Sequence, residues 1–79
     1  MDIHEELTAV FRDIFGDPDL VLSDSTTADD IEMWDSAMHV VLIFAIEDGF
    51  GFKFTGSELE TLSDVGTLKS VIARRLEAA

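Results

Sequence analysis

Ser36 and His39 are the residues of this chain whose types and spacing could do chemistry. They sit in the stretch "WDSAMH", residues 34 to 39, with Asp35 directly before the serine. Asp35 suits the N-cap of a helix, where its carboxylate accepts a backbone N–H of the first turn. Ser36 is then the first helical residue, at the positive end of the helix dipole, where free N–H groups favour a nearby anion. A phosphate esterified to the Ser36 hydroxyl would sit in a hospitable field. His39, three residues on, raises the alternative of hydrolysis. A serine and a histidine without a third group to orient the base are a weak hydrolase signal. A reaction at Ser36 therefore calls for a separate enzyme, and the chain itself is expected not to be one.

The elements around this stretch read as helices. Asp2 can cap the first, with Glu5 in capping-box spacing. Ile3, Leu7, Val10, Phe11 and Ile14 then recur on one face, and Gly16 and Pro18 end it. Residues 16–35 form a long connection, which Leu20, Leu22, Ile31 and Trp34 pin to the core; Thr27 and Asp30 start a short helical turn in it. Such a length inside a small domain is uncommon and often functional. The second helix runs from about Ser36 to Phe50, with Gly49 and Gly51 as stop signals. The "FKF" that follows has no partner strand and reads as a loop whose Phe52 and Phe54 enter the core. Thr55 with Glu58, or Ser57 with Glu60, caps a short third helix before Leu62. Ser63 or Asp64 caps the last, with Val65, Leu68, Val71, Ile72 and Leu76 inward and Arg74 and Arg75 near its negative end. The expected fold is all-α: a four-helix bundle with a long loop between helices 1 and 2 and a short third helix.

Composition bounds the function. Seventy-nine residues make one small domain, residues 1–79, and the 47% apolar content is enough to fold it. No segment approaches the roughly 20 apolar residues that span a bilayer, and no secretory signal is visible. The net charge of −12, from 17 acids against 5 Lys plus Arg, repels nucleic acid and anionic membranes and favours partners with basic docking surfaces. The absence of cysteine excludes disulfides, thiolate metal sites and a Cys nucleophile. Any thiol chemistry must use a thiol brought from elsewhere. Asp29, Asp30 and Glu32 match no EF-hand spacing and read as a solvated acidic loop, so no metal site is expected.

The stretch "WDSAMHVVLIFAIEDGFGFKF" resembles the modification site and second helix of acyl carrier proteins. The resemblance covers nearly the whole chain, including the long loop before Asp35, the short third helix and "TLSDVGTLKSVI" leading into the last. It implies that Ser36 is the attachment point for 4′-phosphopantetheine, placed there by a phosphopantetheinyl transferase that uses coenzyme A and Mg²⁺, with Asp35 as cap and transferase recognition residue. The arm's thiol would carry an acyl group as a thioester to acyl-transferring or acyl-modifying enzymes, in fatty acid, polyketide or specialised secondary-metabolite or lipid biosynthesis. The protein would present the cargo, and sometimes shelter it between helices. A free-standing cytoplasmic carrier is expected. The alternatives are an aminoacyl or peptidyl carrier and a carrier-like interaction module that has lost modification.

Two departures from the family stand out. Ala37 follows the serine where the family usually has Leu, a loss of roughly 2 kcal/mol of contact if that side chain is buried by a partner. The second helix also lacks the acids that commonly face partners. With Ile43 inward and about 100° per residue, Leu42, Ile46 and Phe50 fall near it, while Ala37, Met38, Val41, Phe44, Ala45 and Asp48 fall outward. Only Asp48 of these is charged. The apolar stripe is read as a docking face for dedicated partners or for weak self-association, against the alternative that loops cover it. His39 reads as a packed, hydrogen-bonded histidine, His4 as solvated, and Trp34 as a core anchor.

Overall fold

The computed structural model describes residues 2–62 and 64–78. Four α-helices follow one another: α1 (Ile3–Phe15), α2 (Ser36–Phe50), α3 (Gly56–Leu59) and α4 (Val65–Ala78), with a single 3₁₀ turn at Ala28–Asp30 in the long first loop. Helix α1 packs on both α2 and α4. Leu7, Phe11, Leu42, Ile46, Val65, Leu68 and Ile72 are completely buried where the three long helices meet. The expected four-helix architecture is the observed one, and the "FKF" segment is loop.

The helix ends follow from local chemistry. Asp2 accepts the N–H groups of His4 and Glu5 at the start of α1. Its cap is thus one-sided, because Glu5 returns no bond to Asp2 among the described residues. Gly16 and Gly51 close α1 and α2 with φ of 63° and 76°, a left-handed conformation that costs glycine nothing. Of the two candidate caps for α3, Thr55 is used: its hydroxyl accepts the Glu58 N–H, and Glu58 accepts the Thr55 N–H at 2.8 Å. Asp64 serves α4, accepting the Thr67 N–H at 2.7 Å. Ser63, the other candidate cap, lies outside the described residues.

The long loop is fastened along its length. Leu22, Ile31 and Trp34 are buried, and Leu20 is half-buried beside them. The Val65 and Gly66 N–H groups at the start of α4 donate to the Thr26 and Asp24 carbonyls at 2.9 and 2.8 Å. A side chain at Gly66 would meet the Asp24 carbonyl oxygen at 3.0 Å, so glycine permits the close approach. Lys69 adds a 2.7 Å ion pair to Asp24 and also reaches Nδ1 of His4 at 3.2 Å. His4, expected to be solvated, is instead half-buried against α4, because this lysine bridges loop and helix. Phe54 is buried and Phe52 half-buried against it, their rings 4.9 Å apart. The Arg75 guanidinium lies 5.4 Å over Phe52 and pairs with Glu58 at 2.7 Å, tying α3 to α4.

The cap carboxylates make stability depend on acid. The Thr55 N–H, with help from Arg75, holds Glu58 below the ordinary glutamate range, and the Thr67 N–H and hydroxyl hold Asp64 below the aspartate range. A carboxyl depressed in the folded state contributes stability above its unfolded pKa and loses it as pH falls through the folded value. The melting temperature should therefore drop between about pH 5 and pH 3, and the combined Glu58→Gln, Asp64→Asn variant should lose less over that window. Thermal melts at pH 7, 5 and 3 measure this; parallel curves for variant and parent would contradict it.

Candidate functional site

The entrance of α2 is built by three consecutive residues. Trp34 is buried, with its indole edge-on to Phe11 at 5.2 Å and tilted on Phe15 at 6.4 Å, so the end of the loop is fixed to α1. Asp35 is the N-cap, its carboxylate accepting the Met38 N–H at 2.9 Å. The His39 N–H begins the helical ladder on the Asp35 carbonyl at 2.8 Å. Ser36 is the first residue of α2 and is exposed. Among the described residues its hydroxyl makes no hydrogen bond, and neither the Ser36 nor the Ala37 N–H has a partner. A free hydroxyl therefore stands beside two free donors at the positive end of a fifteen-residue helix.

His39 is not set up to activate that hydroxyl. Its Nδ1 accepts the Trp34 indole N–H at 3.0 Å, with the two rings nearly parallel at 13°. Indole N–H only donates, so Nδ1 is committed as an acceptor. No bond joins His39 to Ser36 among the described residues, and the hydrolase alternative has no geometry behind it. The histidine is the half-buried, hydrogen-bonded one expected.

The outward face of α2 differs from the expected one at its borders. Ala37, Val41, Phe44 and Asp48 are exposed, with Phe44 at 63%. Met38, expected outward, is half-buried and packed on the core, and Ala45 is also half-buried. Val40, which the sequence reading left unassigned, is 54% exposed and belongs to this face. The cause is the choice of Ile43 as the centre of the buried arc. Leu42 and Ile46 are fully buried while Ile43 keeps 7% exposure, so the centre lies about 45° from Ile43 towards Leu42. Averaging the buried positions, rather than choosing one, moves Met38 from about 140° to about 95° off the buried centre, to the border where it is found. Neither the long loop nor α3 covers Val40, Val41 or Phe44.

Val40, Ile43, Phe44, His39, Glu47 and Leu59 line a largely apolar groove of about 280 Å³ between α2 and α3. Leu59 was not foreseen as part of the site, because nothing in its spacing shows which way a four-residue helix faces. Glu47 is held at the groove by accepting the Phe54 N–H at 2.7 Å. A more open, more polar hollow of about 470 Å³, lined by Phe44, Asp48 and Lys53 among others, lies at the far end of α2 from Ser36. Asp29, Asp30 and Glu32 gather no metal-binding cluster among the described residues.

No protein-family model matches the chain, and no curated protein matches it. Among solved structures it is similar to a holo acyl carrier protein from Geobacter metallireducens, determined in solution by NMR. The two are 38% identical over 100% of this chain and 95% of that one, with a TM-score of 0.87.

The cap is the local device that presents Ser36. Asp35→Ala should cost about 1 kcal/mol, a lowering of the melting temperature of roughly 4–8 °C for a domain of this size, while Asp35→Asn should keep most of the stability. Equal melting temperatures for the two variants would show that the carboxylate cap does not hold the helix start.

Proposed function

The chain belongs to the acyl carrier protein family, and we propose that Ser36 is the residue through which it carries. A carrier of this family is not an enzyme, and its prosthetic group is 4′-phosphopantetheine. The start of α2 fits that group. Ser36 offers an exposed hydroxyl, and the free Ser36 and Ala37 N–H groups supply partial positive charge where a phosphodiester needs it. Asp35 spends its carboxylate on the Met38 N–H and so holds the helix start in place. When bound, the group supplies the thiol that a chain without cysteine lacks. The observation that carries the reading is the unbonded hydroxyl at the first position of a long helix.

Carriers of this family meet transferases and acyl-modifying enzymes. For this chain the first partner is a phosphopantetheinyl transferase, drawing on coenzyme A and Mg²⁺. The largely apolar groove between α2 and α3 favours an acyl cargo over an aminoacyl or peptidyl one, in the making of fatty acids, polyketides or other lipids. Val40, Val41 and Phe44, with Ala37 at the start and Asp48 at the end of the face, form the docking surface for later enzymes; Met38 and Ala45 stand at its border. Its contact is mainly apolar, so binding there depends less on salt than contact through an acidic helix would. No helix among the described residues is long and apolar enough to cross a membrane.

Incubation with coenzyme A, Mg²⁺ and a transferase should add one phosphopantetheine to the wild type, read by intact-protein mass spectrometry, and nothing to Ser36→Ala. A wild type that stays unmodified yet binds its neighbours would instead make the chain an interaction module, the reading that Ala37 favours. Val41→Glu and Phe44→Glu should each lower partner kcat/KM about tenfold or more while leaving the melting temperature nearly unchanged, since both side chains are solvent-facing before docking. Unchanged turnover in both variants would remove this face from the docking surface.

A further inference from the structure

The side-chain bond between Trp34 and His39 spans the serine. Trp34 precedes Ser36 by two residues and His39 follows it by three, so the 3.0 Å bond from the indole N–H to Nδ1 closes a clasp around the attachment residue. One end is anchored in the α1 aromatics Phe11 and Phe15, and the other belongs to the first turns of α2. We propose that Trp34 and His39 are positioning residues for the loading of Ser36, and that protonation of His39 opens their clasp. The proposal rests on the reading of Ser36 as the attachment residue.

The chemistry is that of donors and acceptors. Trp34 is 4% exposed, and its indole N–H can only donate. Neutral His39 accepts at Nδ1 and carries its own proton on Nε2. Imidazolium carries a proton on both nitrogens and accepts nothing, so protonation and the clasp exclude each other. With the clasp open, a nearly buried donor is left without a partner, and the loop end is free to move relative to the helix start. Ser36 lies between the two.

The charged groups around His39 are mostly acidic. On α2, Glu47 shares its groove, with the carboxylate on the Phe54 N–H, and Asp35 is committed to the Met38 N–H. Helix α3 brings Leu59 to the groove, flanked in sequence by Glu60 and by Glu58, which is paired with Arg75 of α4. The loop before Trp34 carries the exposed Glu32, and α1 presents the uncharged Phe11 and Phe15 to Trp34.

His39→Asn separates the clasp from the proton, since its amide oxygen can stand in for Nδ1 as acceptor but does not titrate. His39→Phe removes the acceptor and keeps the ring. Loading of each protein by one transferase, followed as kcat/KM from pH 8 to pH 5, gives a ratio in which the transferase's own pH dependence cancels. The ratio of wild type to His39→Asn should be near one at pH 8 and fall about fivefold by pH 5, and His39→Phe should load several-fold more slowly than wild type at pH 8. Trp34 is the chain's one tryptophan, so its fluorescence should change with pH over the same range in the wild type and stay constant in His39→Asn. A flat ratio with pH-independent fluorescence, or a His39→Phe variant that loads like wild type, would overturn the proposal. Failure of the wild type to load at any pH would instead overturn the reading of Ser36, and the fluorescence comparison would still decide whether the clasp opens.

Discussion

The burial of Trp34 is the constraint on which the rest of the site depends. A loop of some twenty residues must end where α2 begins, and only a strong anchor fixes that junction. The indole supplies it, with two phenyl rings of α1 as its seat and one hydrogen bond to α2. Burying a tryptophan without a partner for its N–H is costly, so the side chain fits at this depth because His39 accepts from it. The adjacent Asp35 then finds the Met38 N–H, and Ser36 is left facing solvent.

A second constraint is charge. The chain carries a net charge of −12, yet the exposed face of α2 is dominated by Val40, Val41 and Phe44. Three exposed apolar side chains on one helix cost nothing to a folded monomer that keeps them apart from other molecules, but they gain free energy when a partner covers them. The acids remain elsewhere: in the loop, in the caps of α1, α3 and α4, and at the end of α2. Several are structural, and Glu58 serves two roles at once as the cap partner of Thr55 and the ion-pair partner of Arg75. An acidic protein thus uses part of its charge to hold short elements in place.

Much of this was legible in the sequence. Helix order, the bounds of α2, the Asp35 cap and the loop anchors Leu22, Ile31 and Trp34 follow from periodicity and capping, because those signals are local. Distinctions set by tertiary packing were not. The turn of α2 about its axis depends on which neighbours it meets, so Met38 and Ala45, expected outward, are half-buried. His4 was expected in solvent because its partner Lys69 is 65 residues away. The histidine at position 39 was recognised as packed, but its bond to Trp34 needs the loop's path, which no spacing encodes. The choice of Thr55 over Ser57 as cap was likewise open, since both have a glutamate three residues on.

Ser36 is proposed to bear a phosphodiester in the living cell, and everything said of the site turns on that bond. Fragmentation mass spectrometry of the protein recovered from the cells that make it reads that linkage on a single residue. The expected result is a peptide containing Ser36 with phosphopantetheine, or its acylated form, on the serine oxygen. A population in which that oxygen is bare throughout, or in which the group sits on another serine or threonine, would contradict it.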